Sequence, residues 1–249
     1  MPRYEFRTPR LYVDAPLGAG REVLLDRDQA NYLLNVLRLG RGEAVLLFNG
    51  RDGEWRSSLS GSGTRRAALT VESQLRAQPP AGDLHFLFAP LKHARLDYLI
   101  QKAVEMGASY LQPVLTRHTQ VARVNLDRMR ANVVEAAQQC GILDVPSVGD
   151  PVRLEMIVND ERRLLVFCDE DAEVKDPVVA LVQVKGVGAP LGILIGPEGG
   201  FSEEERTALL KRPKVVRIAL GPRILRADTA AVAALALVQA ILGDWKGAE

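Results

Sequence analysis

A chain of 249 residues, 47% of them apolar, can bury one large core or two modest ones. No run approaches the roughly 20 apolar residues of a membrane span, and the arginine-rich start MPRYEFRTPR lacks the apolar stretch of a signal peptide, so a cytoplasmic protein without a membrane partner is expected. Two distant cysteines, Cys140 and Cys168, and three histidines, His85, His93 and His118, show no metal-ligand spacing, so neither a metal nor a disulfide is expected.

The net charge of +1 conceals a division at the proline-rich break QPPAGD, Gln78 to Asp83. Residues 1–82 hold 12 arginines, no lysine and 9 acids, a balance of +3, whereas the remainder holds 20 basic and 22 acidic residues, −2. Guanidinium is planar and forks onto two acceptors, so an arginine-only basic region suits nucleic-acid contacts.

In chain order, the front region reads as short strands with turns: RLYVDA, EAVLLFNG, EWRSSLSG and RAALTVESQL, with hairpin-type dipeptides Asn49-Gly50 and Asp52-Gly53 between them. One helix interrupts the strands in DRDQANYLLNVLRLG, with Asp26 as N-cap, Gln29 three residues on, an apolar face of Leu33, Leu34 and Leu37, and a stop at Gly40. A small β-barrel with one helix follows. Beyond the break the pattern alternates: strand LHFLFAPL, helix LDYLIQKAVEMG, strand YLQPVL, helix NLDRMRANVVEAAQQCG, strand RLLVFCDED, then LGILIGPEGGFSEEERTALLK and VVRIALGPRILRADTAAVAALALVQAIL. Alternation of this kind predicts an α/β domain with a largely parallel sheet covered on both faces. The expected domains are 1–76 and 77–249.

Ligands of parallel α/β sheets sit at the carboxyl ends of the strands. Three strands end in unusual corners: Cys168-Asp169-Glu170-Asp171, Gly196-Pro197-Glu198-Gly199-Gly200, and Gly221-Pro222-Arg223-Ile224-Leu225-Arg226. The second corner fits neither GxxxxGK[ST] nor GxGxxG. Its helix opens with a capping box, Ser202 and Glu205, and with Glu203 and Glu204 in the first turn, so carboxylates already face the positive helix end and a phosphate would be repelled. A neutral or cationic ligand suits it better. The third corner runs through apolar Ile224-Leu225, able to pack on an adenine ring, before a helix that begins near Asp228, itself a possible N-cap.

These residues together resemble a known family. LIGPEGGFSEEE followed by LGPRILRADTA is similar to the paired signatures of the SPOUT-class 16S ribosomal RNA (uracil-N3)-methyltransferases, and LKHARLDYLIQKAVEMGASYLQPVLTRHT is similar to their first strand-helix-strand unit. PRLYV and NYLLNVLRLGRGE resemble the family's PUA-like RNA-binding β-barrel, which places such a domain at 1–76 and the methyltransferase domain at 77–249. The resemblance implies a parallel sheet tied into a trefoil knot, S-adenosylmethionine in the knotted loops, a homodimer, and 16S rRNA or the small ribosomal subunit as partner. It places Ile195, Gly196, Gly200, Leu220, Gly221, Ile224, Leu225 and Arg226 around the cofactor, with Phe167 and Cys168 as its remaining wall. Three positions depart from the pattern: Gln138 and Ile142, which bear on substrate-side contacts, and Asn31.

Uridine N3 carries a proton at neutral pH, so the reaction needs a base or positive groups that stabilise the uracil anion. Arg226 is assigned the second role, and no base is identified. Arg3, Arg7, Arg10 and Arg117 are assigned phosphate contacts. Alternatives at this stage are a SPOUT enzyme acting on another rRNA or tRNA nucleotide, a nucleotide-dependent α/β enzyme, and a non-catalytic RNA-binding protein.

Overall fold

A computed structural model describes residues 7–61, 67–121 and 123–245. The chain divides into two compact units: Met1–Ala81 with Ala137–Val145, and Gly82–Ala136 with Pro146–Glu249.

In the first unit, strands β1 (Arg10–Tyr12), β2 (Glu22–Leu24), β3 (Ala44–Phe48), β4 (Glu54–Leu59) and β5 (Ala68–Arg76) form one sheet in the order β1-β3-β4-β5-β2. Only the β1–β3 pairing is parallel. β1 and β2 remain as separate edges, so the expected barrel is a curled half-barrel. Leu11, Val23, Leu33, Val45, Leu47 and Leu69 are among the side chains that fill it. Helix α1 (Arg27–Asn31) starts with the expected capping box: Asp26 Oδ1 accepts from the Gln29 N–H at 2.8 Å, and Gln29 Oε1 from the Asp26 N–H at 3.1 Å. It continues as a π-helical turn, Tyr32–Val36, in which the Leu37 N–H reaches the Tyr32 carbonyl. Arg38 then takes a left-handed conformation, φ 58°, so the turn ends before the expected stop at Gly40.

Arg10 corrects a sequence expectation. Its side chain and that of Glu54 are 4% and 3% exposed and lie 2.7 Å apart. The guanidinium also donates to the carbonyls of Ala137, Gln138 and Ile142 and sits 4.0 Å over the Phe48 ring. Arg76 Nε holds the other Glu54 oxygen at 2.8 Å. Burial alone would raise the Glu54 carboxyl; hydrogen bonds from Arg76 and Arg10 outweigh it and hold the group below the usual range. A phosphate cannot compete for an arginine already enclosed in this way. Two departures from the family pattern lie at this network: Gln138 Oε1 accepts from the Tyr12 N–H at 2.7 Å, and Ile142 takes part through its carbonyl.

The second unit carries β6 (Leu84–Phe88), α2 (His93–Glu105), β7 (Tyr110–Leu115), the start of α3 (Leu126–Cys140), β8 (Ser147–Val148), β9 (Val152–Arg153), α4 (Leu154–Val158), β10 (Leu164–Cys168), α5 (Pro177–Gln183), β11 (Leu191–Ile195), α6 (Glu203–Leu210), β12 (Val215–Ile218) and α7 (Ala227–Ile241). Its strands run parallel in the order β12-β10-β11-β6-β7-β8, with β9 pairing on β7. Gly107 and Gly141, both at positive φ, follow α2 and α3 as expected. The short elements β2, β8, β9, α4 and α5 were not legible in the sequence.

Strand order fixes where a ligand can enter. The steps β6 to β7 and β10 to β11 move one way along the sheet, whereas β11 to β12 moves the other way. Crossovers are right-handed, so opposite steps put their helices on opposite faces. In keeping with this, α2, α5 and α7 pack together, while α4 packs on α6. Adjacent strands β6 and β11 therefore send their helices to opposite faces, and a crevice opens between their carboxyl ends.

Candidate active site

The corner after β11 is built around one close approach. A side chain at Gly196 would place its Cβ 2.5 Å from the Phe201 ring, so only glycine lets that ring fold back over the strand end. Phe201 in turn meets Phe167 edge-on at 5.1 Å, and Phe167, fully buried in β10, thus supports the corner from beneath. Gly200 has φ 67°, which favours glycine. The α6 capping box is formed: Ser202 Oγ accepts from the Glu205 N–H, and Glu205 Oε2 from the Ser202 N–H at 2.9 Å. The other Glu205 oxygen accepts from the Arg117 N–H at 2.7 Å, and His118 Nδ1 donates to the carbonyls of Gly199 and Gly200 at 3.1 Å. Thr116 and Thr119 close that β7 turn through a 2.8 Å bond. The second corner is therefore fastened to the end of β7.

The corner after β10 is adjacent: Glu170 Oε1 would lie 3.8 Å from a Cβ at Gly200. Buried Asp169 takes Arg206 at 3.2 Å and Arg217 at 2.9 Å, and Arg206 also pairs with Asp171. Desolvation first, and then the Asp169 charge, push the Cys168 thiol up, so it stays protonated and unreactive.

The corner after β12 differs. Gly221 has φ 92° with open space where a side chain would stand, and Ile224 is 99% exposed. Leu220 and Leu225 are half-buried, and Arg223 and Arg226 are exposed with no side-chain partner among the described residues. Arg226 is the N-cap of α7, which starts one residue earlier than expected. Asp228 is not the cap; its carboxylate accepts from the Thr229 N–H inside the first turn.

A cavity of about 360 Å³ opens beside the second corner, lined by Pro90, Leu91, Lys92, Ala94 and Arg95 after β6, Gln120 and Val121 after β7, and Pro197 and Glu198 after β11. It lies at the boundary of β6 and β11. Arg95 pairs with Glu198 across it, the two side chains 40% and 46% exposed. Leu91, Lys92, Ala94 and Arg95 lie in the strand-helix-strand stretch singled out in the sequence but were assigned no role there, and Pro90, Gln120 and Val121 did not stand out, because the lining comes from three segments about a hundred residues apart at the extremes.

The expected RNA contacts are divided between the two units. Arg3 lies outside the described residues, Arg7 is exposed, and Arg10 is buried. Arg117, with its side chain 69% exposed, stands beside the β11 corner, 3.8 Å from Glu204. Asp169, Glu170 and Asp171 gather three carboxylates within 4.8 Å, answered by Arg206 and Arg217. Among the described residues no helix is long and apolar enough to cross a membrane.

Comparisons with known proteins agree on one family. A profile of the RNA methyltransferase domain matches residues 77–239, and one of the RNA methyltransferase PUA domain matches 25–72. The chain is 30% identical over 228 residues to the ribosomal RNA small subunit methyltransferase E of Synechocystis, covering 88% of this chain and 73% of that protein. It is 28% identical over 236 residues to its namesake from Rickettsia conorii, covering 94% and 96%. Among solved structures, a ribosomal RNA small subunit methyltransferase E from Neisseria gonorrhoeae bound to S-adenosyl methionine superposes with a TM-score of 0.85 at 26% identity, over 96% of this chain and all of that one. With a half-barrel PUA-like unit preceding a parallel-sheet SPOUT-type unit, the chain belongs to the RNA methyltransferase family that includes the ribosomal RNA small subunit methyltransferases E.

Proposed function

We propose that the protein methylates N3 of a uridine in the 16S rRNA of the small ribosomal subunit, with S-adenosylmethionine as donor, and that it does so in the cytoplasm. The observation that carries this reading is a pair of glycine-containing strand ends on either side of β10, the open corner Leu220–Arg226 and the fastened corner Gly196–Ser202, in a chain whose relatives bear that name and whose solved neighbour holds S-adenosylmethionine.

The residues fit that donor. Gly200 and Gly221 leave main chain uncovered, and Leu220, Ile224 and Leu225 offer apolar surface to a purine. Ile195, Gly196, Phe167 and Cys168 form or support the wall beneath, and the acidic first turn Glu203–Glu205 favours a cationic ligand over a phosphate. When bound, S-adenosylmethionine supplies an electrophilic methyl group on a sulfonium centre. Transfer needs N3 in line and close to it, so orientation provides much of the rate. N3 first loses its proton to water, which spreads negative charge over the flanking carbonyl oxygens, where Arg226 is assigned to stabilise it; that charge is discharged as the N3–C bond forms and the methyl–sulfur bond breaks, leaving a neutral methyluridine and a neutral thioether. A paired base hides N3, so the target must be unpaired or turned out of its helix.

The PUA-like unit, residues 1–76 in this reading, together with Arg7 and Arg117, supplies phosphate contacts, and the protein acts as a homodimer. Support for the dimer is the apolar surface left on Val178, Val179 and Val182 of α5 and on Ile224. Light scattering during size-exclusion chromatography measures it. Nucleoside mass spectrometry of 16S rRNA from a strain lacking the gene tests the function: loss of one 3-methyluridine is expected. Unchanged 3-methyluridine with loss of a different methylated nucleoside, in rRNA or tRNA, would move the assignment to that nucleotide.

A further inference from the structure

The methyltransferase reading leaves the receiving site for the base unassigned. We propose that the cavity between the start of α2, the turn after β7 and the β11 corner receives the target uracil, and that Arg95 holds it by its carbonyl edge. This inference rests on the reading above.

Place is the first argument. The cavity lies where the crossovers of β6 and β11 part, and it shares Pro197 and Glu198 with the corner assigned to the methyl donor. A ring seated there is one residue away from Gly196. Size and walls are the second. Its volume of about 360 Å³ lies in the range of roughly 300–1,000 Å³ typical of small-ligand pockets, and Pro90, Leu91 and Val121 offer apolar surface to a flat ring.

Charge is the third. Lys92, the N-cap of α2, makes no side-chain capping bond, and the first turn of α2 holds no acid, in contrast to α1 and α6. The positive helix end is thus reinforced by Lys92 and Arg95, and among the described residues the one carboxylate that lines the cavity is Glu198, paired with Arg95. Both members of that pair are partly solvated, so separating them costs little. A uracil entering the cavity offers two carbonyl oxygens flanking N3, and a guanidinium that turns from Glu198 to one of them gains a second role. It orients the ring and balances the charge that appears on the oxygens when N3 loses its proton to water. Glu198 holds Arg95 across the cavity until the base arrives.

The test uses the full-length protein, small ribosomal subunits and purified 16S rRNA from the deletion strain, with methyl transfer and S-adenosylmethionine binding measured separately. Ala94 is exposed on the first turn of α2, so Ala94→Trp fills the cavity without disturbing a core. It is expected to lower transfer at least 100-fold while S-adenosylmethionine affinity stays within threefold, which also serves as the folding control. Arg95→Ala is expected to lower kcat/KM at least tenfold with the same cofactor affinity, and Arg95→Lys to restore part of it. Glu198→Gln, which frees Arg95, is expected to leave KM for the RNA equal or lower. If Ala94→Trp and Arg95→Ala transfer methyl groups as wild type does, the site is wrong and the methyltransferase reading stands. If Ala94→Trp abolishes cofactor binding, the cavity belongs to the cofactor and the proposal falls. If Arg95→Ala only flattens the salt dependence of RNA binding and leaves kcat intact, the cavity holds a phosphate and not a base. Wild type that transfers no methyl group to either RNA would overturn the underlying reading as well.

Discussion

Two corners of the second unit begin alike, with Gly-Pro directly after a parallel strand or two residues beyond it, and end up in opposite states. The Gly196 corner is fastened on every side, by the Phe201 ring, the His118 bonds and the Ser202–Glu205 capping box. The Gly221 corner has no side-chain hydrogen bond or ion pair among the described residues from Leu220 to Arg226, and it leaves Ile224 99% exposed. Glycine thus does different work in the two places. At Gly196 it makes room for an internal ring; at Gly221 it allows a backbone turn with nothing packed upon it. In the proposed site, a fastened corner and an unfastened one, with β10 between their strands, would give fixed orientation from one and access from the other.

Breaking the fastened side should have the largest effect. Gly196→Ala must displace Phe201 from its place over the strand, at a cost of about 1–3 kcal/mol, and S-adenosylmethionine affinity should fall by more than tenfold, measured by calorimetry together with the melting temperature. An unchanged melting temperature would mean that the ring moves aside freely. On the open side, Arg226→Ala should lower turnover by at least about tenfold, or roughly 1.4 kcal/mol, with cofactor affinity within a few fold, as for a group that acts in the transition state. Unchanged turnover would remove Arg226 from the mechanism. Ser202→Ala deletes the α6 cap and should cost about 1 kcal/mol, a shift of a few degrees in the melting temperature and no more than a small change in affinity. Ile224→Ala should sharpen the contrast: stability within about 0.5 kcal/mol of wild type, because the side chain is exposed, but weaker cofactor binding or a weaker dimer.

The smallest effect is expected at the amino end of β6, away from both corners. Burial, and then Arg163, bring the His85 pKa from 6.5 down to about 4. Between those values the unfolded chain holds a proton that the folded chain does not, so this residue's share of stability is present above pH 6.5 and is lost as pH falls toward 4. His85→Gln should flatten the melting temperature across that window without altering methyl transfer. An equal slope in the variant would place the acid sensitivity of that window in another group; the depressed Glu54 carboxylate loses its stabilising share only at lower pH.

Much of the local structure was legible. Both capping boxes, Asp26 with Gln29 and Ser202 with Glu205, follow from side chains that reach only three residues, and Gly107 and Gly141 stop their helices where the spacing places them. The longer strands after the proline break, β6, β7, β10, β11 and β12, could be read because buried parallel strands are continuous apolar runs. Short elements escaped because two to seven residues carry no usable period and are held by their neighbours: α5 is PVVALVQ, apolar on nearly every side, and β2 is three residues long. Arg10 was misjudged for a related reason. An arginine near the start of a basic region has no local sign that Glu54, Arg76 and the carbonyls of residues 137–142 will enclose it.

What the sequence determined by itself is whatever depends on neighbours along the chain: helix ends, the apolar strands, the acidic turn that turns phosphate away, and the paired signatures that mark the family. The tertiary structure alone decided which of those segments meet. It joined Pro90–Arg95, Gln120–Val121 and Pro197–Glu198 around one cavity and set Phe201 against Gly196. The physical reason is the strand order. Strands β6 and β11, separated by more than a hundred residues, lie side by side because opposite crossover directions bring the chain back to the centre of its own sheet, and no local interaction encodes that return.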